Sequence, residues 1–215
     1  MNDHVEKLIE SNTFLWRGRR GSRHTRGLST GFESLDQALP TSGWPAGAVV
    51  ELMVPAMGIG ELRLWLPVLR RMTQEHRYII IANPPYMPYA PALANAGIDL
   101  EYVRWLMLDD EQDTLWALEK ALRNRECGMA LWWPDGRQRL ADNSVRRLQV
   151  AAREGESLLG LYRLAPDDHA MQQSTWAALR LQLSVRQGGG LSIDILKARG
   201  SHQRATLHIE AEPRQ

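Results

Sequence analysis

The hydrophobic positions of this chain form short apolar runs that alternate with segments of helical spacing. Each apolar run is bounded by Pro, Gly or polar residues, which is typical of a buried strand. The predicted strands cover 49–54, 78–82, 103–108, 129–133 and 158–162. Between them, apolar residues recur every three or four positions, which indicates amphipathic helices. The predicted helices cover 61–74, 89–96, 113–124 and 145–154, after an earlier helix that holds Leu35 and Leu39 and ends at Pro40.

This alternation predicts an α/β fold with a mostly parallel central sheet and helices on both of its faces. Beyond Ser174 the helical spacing disappears. Apolar runs at 178–186, 191–196 and 205–209 are joined by glycine-containing turns, which predicts an antiparallel extension at the carboxyl end.

We divide the chain into three parts. Residues 1–27 form an N-terminal helix near 5–15 followed by an arm rich in arginine and glycine, a composition that does not propagate a helix. Residues 28–200 form the folded domain, and residues 201–215 form a last strand and a tail.

Composition narrows the class of protein. A chain of 215 residues with 44% hydrophobic and 24% charged residues is typical of one globular domain. The net charge of +1 gives no global attraction to nucleic acid, so any such attraction must be local. The N-terminus lacks the apolar run of a signal peptide, no stretch is apolar enough to span a membrane, and Cys127 has no cysteine partner. We therefore expect a cytoplasmic protein.

The loop after the first predicted strand has the outline of a phosphate-binding loop without its chemistry. A working loop reads GxxxxGK[ST], in which Lys contacts the terminal phosphate and the hydroxyl holds magnesium. Here Pro55, Gly58 and Gly60 lead into Glu61 and Leu62. A carboxylate beside a triphosphate would be repelled, by roughly 4 kcal/mol for two unit charges about 4 Å apart at a dielectric near 20. The sequence suggests that an internal carboxylate replaces the bound anion.

The surrounding motifs give a resemblance. STGFESLDQAL at 29–39 and AVVEL before the loop resemble the entry to the RecA core. LWRG at 15–18, GIGELRL at 58–64, PPYMPYAPALANAGIDL at 84–100, RRLQVAAREG at 146–155 and LKARG at 196–200 resemble the ImuA family. These motifs extend over most of the chain.

The resemblance implies a RecA-like fold and a role in the SOS response. ImuA proteins are accessory factors of error-prone translesion DNA synthesis, which belongs to DNA repair after DNA damage. The implied partners are an ImuB-like Y-family protein, RecA and the error-prone polymerase assembly. The related SulA proteins, which inhibit cell division by binding FtsZ, give the alternative function. A residual RecA-type, DNA-dependent ATPase is a weaker third hypothesis.

We expect no enzymatic activity. Besides the loop, the positions that carry acids and a phosphate sensor in RecA-type enzymes read Asn83, Trp133 before Asp135, and Tyr162 with Arg163. No cofactor, metal set or catalytic constellation emerges from the remaining residues.

Two groups of residues are candidates for contact with a partner or with nucleic acid. The arm contributes an apolar triplet followed by arginines: Phe14, Leu15, Trp16, Arg17, Arg19, Arg20, Arg23 and Arg26. By the RecA resemblance, Lys197 and Arg199 match a cationic pair that reaches a nucleotide across a subunit interface. Solvated charges are the plainer interpretation of both groups, and the sequence offers little support for direct DNA contact. Among the tryptophans, we expect Trp65 and Trp116 in the core and Trp16 and Trp44 as surface anchors.

Overall fold

The computed structural model describes residues 27–135, 140–164, 174–187, 189–201 and 205–210. Within these ranges the strands are β1 (Ala48–Val54), β2 (Tyr78–Ala82), β3 (Val103–Leu106), β4 (Cys127–Trp132), β5 (Leu158–Leu164), β6 (Leu179–Val185), β7 (Leu191–Ala198) and β8 (Thr206–Ile209). The α-helices are α1 (Glu33–Ala38), α2 (Leu66–Gln74), α3 (Ala90–Asn95), α4 (Glu111–Arg123) and α5 (Asp142–Gly155). Two short 3₁₀ helices cover Glu61–Leu64 and Leu100–Tyr102.

In the described residues the strands form one eight-stranded sheet in the order β3-β2-β4-β5-β1-β6-β7-β8. Every pairing from β3 to β6 is parallel, whereas β7 and β8 join antiparallel. The structure confirms the predicted α/β fold, with a mostly parallel sheet flanked by helices and an antiparallel extension at the carboxyl end. In these same residues, no helix has the length and apolar character needed to cross a membrane.

The sheet carries two hydrophobic layers because successive side chains of each strand point to opposite faces. On one face, α2 packs on β2 and β4, and its Val68, Leu69 and Met72 belong to the hydrophobic layer that also contains Ile79 of β2 and Leu131 of β4. On the other face, α4 and α5 cover Val49 and its neighbours with a separate set of apolar side chains: Leu115, Leu118, Leu122, Val145 and Leu148.

Some predicted boundaries were wrong. The helix predicted over 61–74 is divided, because the chain makes a 3₁₀ turn at Glu61–Leu64 and begins α2 only at Leu66. Pro67 lies in the first turn of α2, where its missing N–H and fixed φ suit a helix start rather than a helix interior. β3 ends at Leu106 rather than at residue 108, and β5 continues to Leu164.

Two tryptophan predictions were also wrong. Trp44 is fully buried, and its ring packs on Trp65 with the centroids 4.3 Å apart. Trp116 is 60% exposed, because the buried face of α4 consists of Thr114, Leu115, Leu118 and Leu122. Helical spacing alone did not show which apolar residue would lie outside the buried stripe.

A buried ion cluster joins the three central strands. Glu51 of β1 is fully buried, and its Oε2 accepts a hydrogen bond of 2.7 Å from Nε of Arg180 on β6. Its Oε1 accepts one of 3.0 Å from Nη1 of Arg163 on β5. Arg180 is itself only 3% exposed. This cluster therefore fixes β1 between a parallel strand of the core and the strand that leads into the antiparallel extension.

We expect Glu51→Ala to lower the free energy of unfolding by about 3–5 kcal/mol, because the substitution leaves the Arg180 guanidinium buried without its carboxylate. Urea denaturation followed by circular dichroism measures this change. Glu75→Ala is the matched control, since Glu75 forms an exposed i,i+4 pair with Arg71 and its loss changes stability by at most about 1 kcal/mol. Equal effects of the two substitutions would contradict a structural role for the cluster.

Cys127 provides a second check of the fold. Burial raises the pKa of its thiol to about 11, and the residue is 4% exposed at the start of β4. Because the thiolate is the reactive form, we expect alkylation at pH 8 to be slow in the folded protein and fast in urea. Mass spectrometry after timed iodoacetamide treatment measures both rates. Fast modification without denaturant would show that β4 is not buried as described.

Candidate functional site

The candidate site is the loop that connects β1 to the 3₁₀ helix at Glu61–Leu64. It leaves the carboxyl end of β1, the edge where parallel sheets commonly place their ligands. Gly58 and Gly60 have φ values of 82° and 95°, a left-handed backbone that favours glycine. Pro55 is exposed, whereas Leu62 lies partly buried against the core. The loop therefore makes a tight turn that depends on these two glycines.

The Glu61 carboxylate folds back onto this loop. Its Oε1 accepts a hydrogen bond of 3.1 Å from the backbone N–H of Gly58, and the residue is only 5% exposed. In a working phosphate loop, backbone N–H groups of this kind hold the phosphate oxygens. Here the acceptor is an oxygen of the protein itself. The geometry agrees with the sequence hypothesis that an internal carboxylate stands in for the anion.

Beneath Glu61 lies a group of buried aromatic side chains with polar atoms. Tyr162 stacks on Trp133 with ring centroids 4.2 Å apart and an angle of 9° between the planes. In the same group, the Trp65 ring packs on the Trp44 ring. Glu61 Oε2, the Tyr162 hydroxyl and the three indole nitrogens have no hydrogen-bond partner among the described residues. These large rings occupy the space next to the loop, on the side of the sheet that α2 covers.

Tyr162 is the most strongly perturbed group of this cluster. Burial raises the pKa of its phenol well above the usual value, and, against an opposing effect of the adjacent Trp65 side chain, the nearby Glu61 carboxylate raises the pKa further. Both effects keep the hydroxyl neutral, because a phenolate would be desolvated beside another negative charge. The position that would sense a phosphate in a RecA-type enzyme thus holds a neutral, buried phenol.

Two of the other positions expected to differ from an ATPase, Asn83 and Arg163, have structural roles. Asn83 joins the ends of β2 and β3: its Nδ2 donates to the Leu108 carbonyl at 2.9 Å, and its Oδ1 accepts from the Leu108 N–H at 2.9 Å. Nη1 of Arg163 donates a hydrogen bond to the Glu51 carboxylate. Asp135 is exposed beyond the end of β4. Across the described ranges, no group of three or more His, Cys, Asp or Glu residues is arranged to hold a metal ion.

The motif that resembles the entry to the RecA core also has a structural function. Asp36 of α1 accepts hydrogen bonds from the Ser29 hydroxyl at 2.7 Å and from the Thr30 backbone N–H at 2.8 Å. These bonds hold the chain ahead of α1 against the helix. The residue types of this motif are therefore explained by local hydrogen bonding without a ligand.

Of the predicted contact residues, the structure describes Lys197 and Arg199. Lys197 Nζ donates to the backbone carbonyls of Thr175 and Ala177, and Arg199 donates to the carbonyl of Trp176 at 3.2 Å. The pair thus holds the segment before β6, and contact of this pair with a partner stays a prediction. Phe14, Leu15, Trp16, Arg17, Arg19, Arg20, Arg23 and Arg26 lie outside the described residues.

Sequence reasoning missed an apolar surface beside the loop. Tyr86, Met87 and Tyr89 are 69%, 62% and 73% exposed. The Tyr86 ring reaches within 3.4 Å of the position that a Cβ on Gly58 would occupy. The signal was present in the PPYMPY segment, where apolar residues between prolines have neither helical nor strand spacing. We call Tyr86, Met87 and Tyr89 the loop-side apolar surface.

Comparison with known proteins gives little support for a family. No protein-family model matches the chain, and no curated protein matches it. Among solved structures, SulA from Pseudomonas aeruginosa is similar, with 24% sequence identity and a TM-score of 0.44. The match covers 56% of this chain and 100% of the SulA chain. A likeness this weak does not establish a family or a function.

We expect Glu61→Ala to lower the free energy of unfolding by about 1–3 kcal/mol, because a charge-assisted hydrogen bond to the Gly58 N–H is lost. Phosphate should then raise the melting temperature of the variant more than that of the original protein, since the freed N–H can bind an anion. Thermal melts in sodium phosphate and in sodium chloride measure the difference.

Glu61→Gln is the matched control for this experiment, because its amide oxygen keeps an acceptor for the Gly58 N–H. We expect its melting temperature to respond to phosphate as that of the original protein does. An equal response of all three proteins would show that phosphate acts by general exclusion from the surface and that Glu61 does not block an anion site.

Proposed function

We propose that this chain is a non-catalytic RecA-like accessory protein of SOS-induced translesion DNA synthesis, similar to ImuA. It acts through contacts with an ImuB-like Y-family protein and with RecA in an error-prone polymerase assembly. In this proposal the chain binds and hydrolyses no nucleotide and uses no cofactor. The alternative is a SulA-like inhibitor of cell division that binds FtsZ.

The single observation that carries the non-catalytic role is the buried Glu61 carboxylate on the Gly58 N–H. A nucleotide would have to displace this carboxylate from the loop, and no lysine follows Gly60 to neutralise the terminal phosphate. Magnesium would lose its usual hydroxyl ligand as well, because Leu62 stands at that position. The carboxylate of Glu61, the missing lysine and the missing hydroxyl all oppose nucleotide binding. Glu61→Lys alone is therefore not expected to restore ATP turnover.

The loop-side apolar surface supports action by protein contact. Exposed apolar groups that lie together on a soluble domain mark sites of protein interaction more often than isolated ones do. Tyr and Met are enriched at such interfaces because they offer large contact area. Tyr86 also contacts the loop region, so a partner seated here would cover the vestigial phosphate loop. Resemblance to ImuA motifs supplies the biological assignment of the partner.

Binding measurements with purified RecA and ImuB-like protein of the host bacterium test this function. We expect saturable binding of the full chain to at least one of them. Replacement of Tyr86, Met87 and Tyr89 together by serine should weaken that binding at least about tenfold, because central aromatic contacts commonly contribute 2 kcal/mol or more. Val185→Ser, which alters an apolar residue 57% exposed at the end of β6, is the control.

Two further measurements separate the competing functions. Phosphate release from ATP, with and without single-stranded DNA, should stay at background, and turnover by the pure protein would restore the ATPase hypothesis. Failure to bind RecA and ImuB-like protein, together with binding to FtsZ, would replace the ImuA-like function by the SulA-like one. Binding to none of the three would remove both accessory functions.

A further inference from the structure

A basic surface surrounds Trp176 on the side of the sheet that α5 covers, opposite the buried rings of Trp44, Trp65, Trp133 and Tyr162. It consists of Arg146, Val150 and Arg153 on α5, Trp176 before β6, and Lys197 with Arg199 at the end of β7. The α5 residues are spaced four and three positions apart and are all exposed, so they form one stripe of the helix. This basic surface is independent of the phosphate loop and of the function proposed above.

Contacts in the structure join these residues into one surface. The Arg146 guanidinium lies over the Trp176 ring, with Cζ 4.9 Å from the centroid. Arg199 donates a hydrogen bond of 3.2 Å to the Trp176 carbonyl, and Lys197 donates one of 2.9 Å to the Ala177 carbonyl. Trp176 is therefore held through its backbone and through one side of its ring, while 48% of the residue remains exposed.

The hydrogen bonds of Lys197 and Arg199 do not neutralise the positive charge of these two side chains. Within the described residues, Lys197 and Arg199 bond backbone carbonyls, which carry no net charge. Burial lowers the pKa of Lys197 and the neighbouring charge of Arg199 lowers it further, while the buried Glu51 carboxylate opposes these effects in part. Burial also lowers the pKa of Arg199, with a further contribution from Arg153. The cations thus repel one another, and a bound anion would relieve that repulsion.

The shape of the surface favours a partner with flat rings and repeated negative charge. A half-exposed indole backed by a guanidinium is a stacking platform, and a base stacked on an aromatic side chain contributes about 1–3 kcal/mol. Arginines next to such a platform can contact phosphates. The exposed aliphatic part is limited to Val150, which offers little to the apolar side chains of an acidic peptide.

We propose that this basic surface binds single-stranded nucleic acid, with one base stacked on Trp176 and phosphates beside Arg153 and Arg199. A single strand fits better than a duplex, because only an unpaired base offers its face to the indole. Binding should weaken as salt rises, since phosphate contacts release counterions. The surface has too few cations for strong binding by charge alone, so stacking contributes a large share of the affinity.

Fluorescence anisotropy of a labelled thymidine 20-mer, titrated with the full chain at 50 and 200 mM salt, tests the proposal. We expect Trp176→Ala to weaken binding about 5- to 100-fold, from the loss of one stacked base. Arg153→Ala should reduce the slope of log affinity against log salt by about 0.7, the value for one phosphate contact on a single strand. Trp176→Phe, which keeps an aromatic ring, should retain most of the affinity.

Trp116→Ala is the matched control. Trp116 is 60% exposed on α4 and lies near Lys120, whose Nζ is 6.0 Å from the ring centroid, but it is outside the basic surface. Its replacement should change affinity less than twofold, and circular dichroism checks that each variant is folded.

Unchanged binding by Trp176→Ala would overturn the proposal and place any nucleic-acid contact elsewhere, for example on the arginines of the arm. Failure of the original protein to bind the oligonucleotide would overturn it too. Binding of polyglutamate in place of the oligonucleotide would show that the surface recognises an acidic protein instead.

Discussion

The structure depends on the position of β1, which the buried Glu51 carboxylate holds between Arg163 of β5 and Arg180 of β6. Burying a carboxylate is costly unless cations and hydrogen bonds compensate it, so the three strands can keep their register only together. That register pairs Leu52 with Tyr162 on the opposite face of the sheet. The ion cluster on one face of the sheet therefore also fixes the position of Tyr162 on the other face, beneath the loop that follows β1.

The two buried glutamates have different structural roles. Glu51 joins strands, whereas Glu61 occupies the loop that follows them. In a nucleotide-binding protein, the N–H groups of such a loop remain available until the phosphate arrives. Here the loop is ordered by its own side chain, and the space beside it is filled by Trp65, Trp133 and Tyr162. The sheet does not depend on a ligand, because its stability comes from side-chain packing and from strand pairing.

Two exposed surfaces of the described residues are candidates for binding a partner. The loop-side apolar surface and the basic surface around Trp176 differ in chemistry, since one offers Tyr and Met side chains and the other offers cations around an indole. The two proposals assign a folded protein partner to the first surface and, independently, a single-stranded nucleic acid to the second. An accessory protein that contacts both a protein and a nucleic acid would need two such separated regions.

The sequence alone determined the order of strands and helices, the parallel core with its antiparallel extension, and the presence of Glu61 and Leu62 after Gly60 where a working phosphate-binding loop has Lys and a hydroxyl residue. These features depend on local periodicity and residue type, which can be read directly from the sequence. Only the tertiary structure decided that Glu61 turns back onto Gly58, that Trp44 is buried while Trp116 is exposed, and that Arg146 meets Trp176. Spacing along the chain does not specify which helix face packs against which strand. These contacts therefore follow only from the strand order and the helix packing.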